Sequence, residues 1–244
     1  MRAKRTPRHR PAWHRGRMRR LRSAVLALTV ALTVTGVVLP AASEGAAKLC
    51  AVPAPIRERK APQAVVVTMT GARTGTHATL VACTRRSNGT YVRSLGPYAA
   101  RVGYNGMATG GTKREGDGRT PAGNFPLRQA FGTTADPGVE ITWKRVGAKD
   151  VWVDDPASKL YNRAAKLPAR GRWKSAEKLA QKAYRHAQVI GYNDGKPVPG
   201  RGSAIFLHES TGGATAGCVS ISAANLLTLL RWERPGAWIG LRAS

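Results

Sequence analysis

A histidine and a cysteine near the end of the chain have the residue types and spacing that nucleophilic catalysis needs. An apolar run at 204–207 precedes His208, and a loop of small residues with three glycines leads to Cys218. A thiol becomes a strong nucleophile as the thiolate, and a nearby imidazole can remove its proton. Backbone N–H groups of such a loop can face an oxyanion, which makes Ala216 and Gly217 candidates. The alternative, a core thiol beside an ordinary strand-end histidine, stays open at this point.

Short apolar runs predict the elements that would position this pair. Runs rich in Val and Thr, bounded by turn residues, are typical of strands, and the Asn88-Gly89 turn indicates a hairpin. The predicted strands are 64–69, 76–82, 91–95, 124–131, 141–144, 150–153, 188–192, 204–207 and 238–241. Helical spacing predicts helices over 175–186 and 223–232, with Ser222 as the N-cap of the second. The chain is therefore expected to be mainly β with added helices.

Two separated stretches resemble one known family. Residues 204–208 with 215–221, and residues 113–127 upstream, are similar to the L,D-transpeptidase catalytic domain family (YkuD-like). The resemblance implies a β-sandwich of mixed sheets and acyl transfer on peptidoglycan stem peptides, with Cys218 forming a thioester and His208 as general base. It also implies a part in peptidoglycan biosynthesis, cell-wall organisation and cell shape.

The match departs from the family pattern beside the cysteine. Ala216 stands where the family has a second histidine, and Ser220 follows the cysteine where Asn or Arg is usual. The ten-residue spacing from His208 to Cys218 is also shorter than the family usually shows. These departures concern the acyl acceptor and the oxyanion hole, whereas the base and the nucleophile are retained.

The resemblance also suggests residues that line the substrate cleft. In the family, the loop that corresponds to 113–119 lies beside the cleft, so Lys113, Arg114 and Arg119 are candidates to meet substrate carboxylates. Tyr192, at the end of the strand predicted before His208, is a further candidate for the cleft wall.

Two other classes of function stay open. A hydrolase on the same scaffold, such as an L,D-carboxypeptidase or amidohydrolase, would use water as acceptor, and a non-catalytic basic cell-wall-binding protein would not need Cys218. The motif of zinc proteases is incomplete, because Gly212 stands where a second histidine is required, so we expect no metal and no cofactor. Scattered charge and an aromatic content of 6% argue against nucleic acid as a partner.

The N-terminus has the form of a secretory signal peptide or a membrane anchor. Residues 1–42 contain ten basic and no acidic residues and include an apolar stretch at 21–39. We therefore expect export to the cell wall or the extracellular space, with membrane attachment only through an uncleaved leader. Residues 43–62 are expected to be a linker and 63–244 a catalytic domain, with 63–96 as its first strands or a small appendage.

Charge and cysteine content fit an exported protein. The chain has a formal net charge of +27, which makes anionic cell-wall polymers candidate partners. In an oxidising compartment cysteines tend to pair, and an odd one is a candidate reactive thiol. The three cysteines then divide into a candidate disulfide between Cys50 and Cys83 and a free Cys218.

Overall fold

The computed structural model describes residues 48–72 and 74–243. The predicted leader and the first residues of the predicted linker lie outside this range. Within it, no helix has both the length and the apolar character that a membrane crossing requires.

The described residues are mainly β, as the sequence predicts. The two helices among them are α1, Ala54–Glu58, and α2, Ala223–Trp232. Strands β1 to β7 are, in order, Gln63–Met69, His77–Arg85, Tyr91–Arg101, Met107–Ala108, Thr120–Pro121, Gly123–Gly132 and Trp143–Arg145. Strands β8 to β14 are Asp150–Val153, Arg163–Lys166, Ala176–Lys178, Ala187–Ile190, Phe206–Glu209, Val219–Ile221 and Trp238–Arg242.

Nine of the strands form one mixed sheet that closes on itself. Its order is β11-β12-β13-β3-β2-β1-β14-β6-β7, with an additional pairing of β11 to β6. The long strand β6 makes this closure, because its first half pairs with β14 and its second half pairs with β11. Parallel pairs (β1 with β14, β12 with β13, β6 with β7) occur among antiparallel ones, which confirms the prediction of mixed sheets.

The predicted early strands are integral to this sheet. β1 and β2 lie at its centre, and β2 and β3 form the hairpin expected from Asn88-Gly89. The Asn88 side chain accepts a hydrogen bond from the Thr90 backbone at 3.0 Å, and Gly89 has a φ of +85°, which glycine adopts without strain. Residues 63–96 are thus the first strands of the domain.

The segment 48–62 is packed on the domain, which corrects the prediction that all of 43–62 is a linker. Val52 and Ile56 of this segment are buried in an apolar cluster with β1 and β2. Cys50 and Cys83 form a disulfide whose Cα atoms are 6.3 Å apart. The apolar side chains at 52 and 56, rather than the prolines around them, decide where this segment lies.

One predicted helix is absent and the other is confirmed. α2 begins after Ser222, whose hydroxyl accepts a hydrogen bond from the Asn225 backbone at 3.3 Å. The segment 175–186 forms β10 and a single 3₁₀ turn at Lys182–Tyr184 instead of a helix. Its helical periodicity came mostly from alanines, which bury little area, and pairing of β10 with β8 together with burial of Leu179 and Tyr184 prevails.

A three-stranded sheet lies beside the main one. Its order is β10-β8-β9, and both neighbours of β8 run antiparallel to it. Asn162 joins this sheet to the main one. Its side-chain Oδ1 accepts hydrogen bonds from the Trp152 indole (2.8 Å) and from the Ala204 backbone N–H (3.1 Å).

Candidate functional site

β12 and β13 position the two residues singled out by the sequence. These strands are parallel neighbours, and His208 pairs in register with Ser220. Since side chains alternate along a strand, Leu207 and Val219 face the main core while His208, Cys218 and Ser220 share the opposite face. The strand spacing and rise place the Cα atoms of His208 and Cys218 about 8 Å apart.

His208, Cys218 and Ser220 line a cleft with a volume of 450 Å³. Main-sheet strands and the 211–217 loop form one part of this cleft, and Glu115, Asp154 and Glu177 form another. We call His208, Cys218 and Ser220 the reaction wall. We call the three carboxylates, Glu115, Asp154 and Glu177, the acidic wall.

The Cys218 thiol is free, buried and held by hydrogen bonds. Its Sγ accepts a hydrogen bond from the Phe206 backbone and donates one to the Ala204 carbonyl, both at 3.3 Å. Burial raises the pKa of this thiol to about 12, and the negative charge of Glu177 acts in the same direction. The thiol is therefore neutral at rest, and it could act as a nucleophile only after a base removes its proton.

His208 has the protonation state and orientation of such a base. Its Nδ1 lies 2.8 Å from the backbone carbonyl of Glu209, so Nδ1 carries the proton and Nε2 is left as an acceptor. Burial lowers the pKa of His208, which favours the neutral imidazole. The carbonyl that orients the ring belongs to the next residue in the strand.

Tyr184 contacts both members of the pair. Its ring packs edge-on against the His208 imidazole, with 5.3 Å between centroids, and its hydroxyl is close enough to the Cys218 thiol to lower the pKa of that thiol. The same hydroxyl donates to Glu177 Oε1 at 2.5 Å. Among the described residues no direct hydrogen bond joins His208 to Cys218, so proton transfer between them requires the thiol to release Ala204.

The upstream motif meets the cysteine through two threonines. The backbone carbonyl of Cys218 accepts hydrogen bonds from the hydroxyls of Thr215 (2.6 Å) and Thr120 (3.1 Å). Thr120 lies in the 113–127 stretch, which explains why two separated matches belong to one site. Gly217 lies against this stretch at a φ of +149°, and a Cβ there would meet the Arg119 carbonyl oxygen at 3.1 Å.

The two oxyanion candidates differ in availability. The Gly217 N–H donates to the Thr215 hydroxyl at 3.1 Å, so it is engaged within its own loop. Ala216 is exposed and lines the cleft.

One of the three basic candidates lines the cleft. Lys113 does so, but it is 4% exposed and its Nζ is 2.7 Å from the Asp117 carboxylate, which neutralises its charge. The Arg114 side chain donates to the carbonyls of Gly111 and Lys113 outside the cleft lining. Arg119 is exposed and also lies outside that lining. The structure therefore does not gather these three cations around Cys218.

Tyr192 lines a different cavity, which corrects its place in the sequence-based site. This second cavity has a volume of 520 Å³ and includes Trp152 and Val189. The Tyr192 hydroxyl donates to the Arg201 carbonyl at 2.6 Å, and its ring packs edge-on against Phe125. Tyr192 lies just after β11, and its aromatic packing against Phe125 turns it away from the cleft.

The acidic wall and Tyr184 were missed by the sequence analysis. Glu177 and Tyr184 lie in the segment interpreted as a helix, and Asp154 directly follows a predicted strand. The available signal was a local excess of acidic residues at 154, 155 and 177 within a strongly basic chain. Their convergence on Cys218 depends on the three-stranded sheet and could not be predicted from spacing.

His186 and Glu209 pair outside the cleft. The Nδ1 of His186 lies 2.6 Å from Glu209 Oε1, and both side chains are largely buried. Glu209 therefore faces away from His208, as alternation along a strand requires.

Metal ligation receives no support from the described ranges. No group of three or more His, Cys, Asp and Glu side chains within residues 48–72 and 74–243 could hold a metal ion.

Fold and site together define a mainly β domain with a buried free cysteine and a neutral histidine in one cleft, a class suited to acyl transfer. The model of the L,D-transpeptidase catalytic domain family (YkuD) matches residues 79–239, and the chain belongs to this family. The family consists of enzymes that act on peptidoglycan stem peptides and are typically associated with the cell wall.

Solved structures include two weak likenesses. The chain is similar to the helical cell-shape-determining protein Pgp2 from Campylobacter jejuni, with 12% identity and a TM-score of 0.36. A point mutant of the same protein gives 13% identity and a TM-score of 0.36. Each alignment covers 75% of this chain and 48% of the other, so the chain spans about half the length of that protein. Comparison with curated proteins gave no match.

Proposed function

We propose that the protein is an L,D-transpeptidase that cross-links peptidoglycan stem peptides through a thioester on Cys218. The observation that carries the proposal is the placement of a free thiol and a neutral imidazole on one face of two adjacent strands. Membership in the family supports the substrate class. The catalytic domain would comprise 63–244 together with the packed segment 48–62, and it would act at the cell wall after export through the leader at 1–42.

The first half-reaction makes the thioester. His208 Nε2 takes the Sγ proton as the thiol leaves its hydrogen bond to Ala204, and the sulfur attacks the carbonyl of the stem peptide. Backbone N–H groups near Ala216 and Gly217 stabilise the oxyanion, with the Gly217 N–H released from Thr215. The C–N bond then breaks, and the imidazolium gives its proton to the departing amine. Neither group needs to be charged beforehand, which agrees with the raised pKa of Cys218 and the lowered pKa of His208.

The second half-reaction transfers the acyl group to an amine. The amine attacks the thioester, the C–N bond forms, and the C–S bond breaks to return the thiol. Water in place of the amine would give a carboxylic acid, which is the outcome of a hydrolase on the same scaffold.

Mass spectrometry of the protein after exposure to a carbapenem tests the nucleophile. We expect one covalent adduct that maps to the peptide with Cys218 and that is absent from Cys218→Ala. The disulfide pair Cys50 and Cys83 is an internal control, because neither sulfur should be modified.

Incubation with disaccharide-tetrapeptides tests the acceptor. Cross-linked dimers are the expected product, and tripeptide alone would replace the transferase by a hydrolase. A protein that binds wall material without any adduct or product would contradict both and favour the non-catalytic binding protein.

A further inference from the structure

The cleft beside Cys218 is negatively charged although the chain is strongly basic. Its described lining includes the three carboxylates of the acidic wall, Glu115, Asp154 and Glu177. Lys113 also lines it, but that side chain is paired with Asp117, which lies outside the cleft lining. The chain as a whole has a formal net charge of +27, so the local sign is opposite to the global one.

The three carboxylates are close enough to influence one another. Burial raises the pKa of Glu177, and the charges of Asp154 and Glu115 raise it further. Partners within the protein occupy only part of this wall. Glu115 accepts hydrogen bonds from Tyr161 and from Ser203, and Glu177 Oε1 accepts hydrogen bonds from Tyr184 and Gln181. A cation that binds between such carboxylates reduces the electrostatic repulsion among them.

Two polar atoms of the cleft have no hydrogen-bond partner among the described residues. Ser220 is 1% exposed, lies beside His208 in the register, and its Oγ is unpaired. The Oδ1 of Asp154 is inaccessible to solvent and is also unpaired. Buried polar groups are normally hydrogen-bonded, so the unpaired hydroxyl of Ser220, which lines the cleft beside His208, indicates a polar ligand there. Neither observation depends on the number of acidic residues.

We propose that Glu115, Asp154 and Glu177 form a subsite for the ammonium group of the amine that resolves the Cys218 thioester. This inference rests on the proposed function and adds the residues that select the acceptor. An ammonium carries a positive charge and three donors, which match an acidic wall with an unpaired carboxylate oxygen.

Aminolysis of the Cys218 thioester can start from an ammonium group bound in this subsite. The bound ammonium gives one proton to His208 and becomes a nucleophilic amine. Its nitrogen forms the new C–N bond as the C–S bond breaks. The second nitrogen proton is released to solvent, and the imidazolium proton returns to the sulfur as the thiol re-forms.

The same wall disfavours a carboxylate beside the reacting amine. Lys113 is neutralised by Asp117, and the side chains of Arg114 and Arg119 lie outside the cleft lining. A carboxylate near the amine would therefore face negative charge without a compensating cation. The acceptor class is an amine whose neighbouring carboxyl group is amidated or absent.

A partition experiment with two matched acceptors tests the subsite. The full domain is loaded with a tetrapeptide donor and offered D-alaninamide or D-alanine, which differ in one carboxylate. The readout is the ratio of aminolysis to hydrolysis of the thioester. We expect D-alaninamide to be preferred, and we expect Asp154→Asn to reduce that preference about tenfold, because one of the negative charges that repel the D-alanine carboxylate is lost. The same variant should lower the ratio of aminolysis to hydrolysis for both amines, because one charge near the ammonium is lost. Comparing the two acceptors within each variant removes the difference in amine basicity.

Two further variants keep the result interpretable. Asp154→Glu restores the charge and should restore the preference. Glu58→Gln removes an exposed charge on α1, outside the cleft lining, and should leave the preference as in the unmodified protein. If the thioester forms and the preference is the same in Asp154→Asn, the subsite is wrong. If no thioester forms in the unmodified protein, the proposed function itself fails.

Discussion

The two sides of the cleft were assembled in different ways. The reaction wall comes from two adjacent strands of the closed sheet, and its residues lie within 13 positions of one another in the sequence. The acidic wall takes its three carboxylates from the loop before β5, from the turn after β8 and from β10. A motif can be recognised in the sequence when its residues lie on neighbouring strands joined by a short loop. It cannot be recognised when its residues come from separate elements that only the fold brings together. We infer that the first wall sets the reaction and the second sets the partner.

The largest expected effect follows from removing the nucleophile. Cys218→Ala should lower the rate of cross-linking by a factor on the order of 10³ or more, because no other free thiol is present in the described part of the chain. Product analysis by liquid chromatography measures this loss. Residual activity close to that of the unmodified protein would contradict the distinction between the two walls, since the reaction wall would then not contain the nucleophile.

The next effect follows from removing the base. His208→Gln should lower kcat/KM about 10²- to 10⁴-fold while the variant still folds. The pH profile gives a second check. Protonated His208 cannot accept the thiol proton, so activity is lost as pH falls through its pKa, and burial lowers that pKa. The acid limb of the kcat/KM profile should therefore lie below pH about 6.5, the ordinary histidine value. An acid limb above that value would contradict the role of this imidazole.

A smaller expected effect is a change in the pKa of Cys218 when Glu177 of the acidic wall or the neighbouring Tyr184 is substituted. Glu177 raises the pKa of Cys218 and the Tyr184 hydroxyl lowers it. Glu177→Gln should therefore lower the thiol pKa, and each unit of that change makes the thiolate about tenfold more abundant at neutral pH. Tyr184→Phe should shift the pKa in the opposite direction.

Rates of alkylation by iodoacetamide as a function of pH measure both shifts, with Glu58→Gln as the matched control. pKa shifts of the same sign in Glu177→Gln and Tyr184→Phe would show that packing, rather than charge and hydrogen bonding, determines the pKa of the Cys218 thiol.

The smallest effect on chemistry is expected away from both walls. The Cys50–Cys83 disulfide closes a loop of 33 residues, and its removal should cost about 3–4 kcal/mol in free energy of unfolding. The double Ala variant should nevertheless keep kcat/KM within about a factor of two under conditions where it is folded. Denaturant unfolding and steady-state kinetics separate these effects. A large loss of kcat/KM in the folded variant would extend the site to a third region.

The sequence predicted strands and the reaction wall better than the surrounding loops. Apolar alternation and the Asn88-Gly89 turn are local signals, so β1 to β3 could be placed in advance. His208 and Cys218 were found because their motif lies within two strands and one loop. α2 was predicted correctly because Ser222 supplies a local cap.

Two of the three wrong predictions depend on long-range contacts, whereas that for Lys113 depends on a neighbour in the sequence. The helix predicted over 175–186 failed because β10 pairs with β8, which only the tertiary fold brings near. Lys113 was expected to meet a substrate carboxylate, but Asp117 four residues later takes its charge. Tyr192 was placed by its position after a strand, whereas its neighbour Phe125, distant in sequence, determines its direction.

Closure of the main sheet has a consequence for the association of the protein with other chains. Since β6 pairs with β11 as well as β14, the outer side of β7 is the free margin of that sheet in the described residues. β7 is three residues long and contains Lys144 and Arg145. Short, charged margins discourage other chains from adding strands, so the architecture itself guards against aggregation.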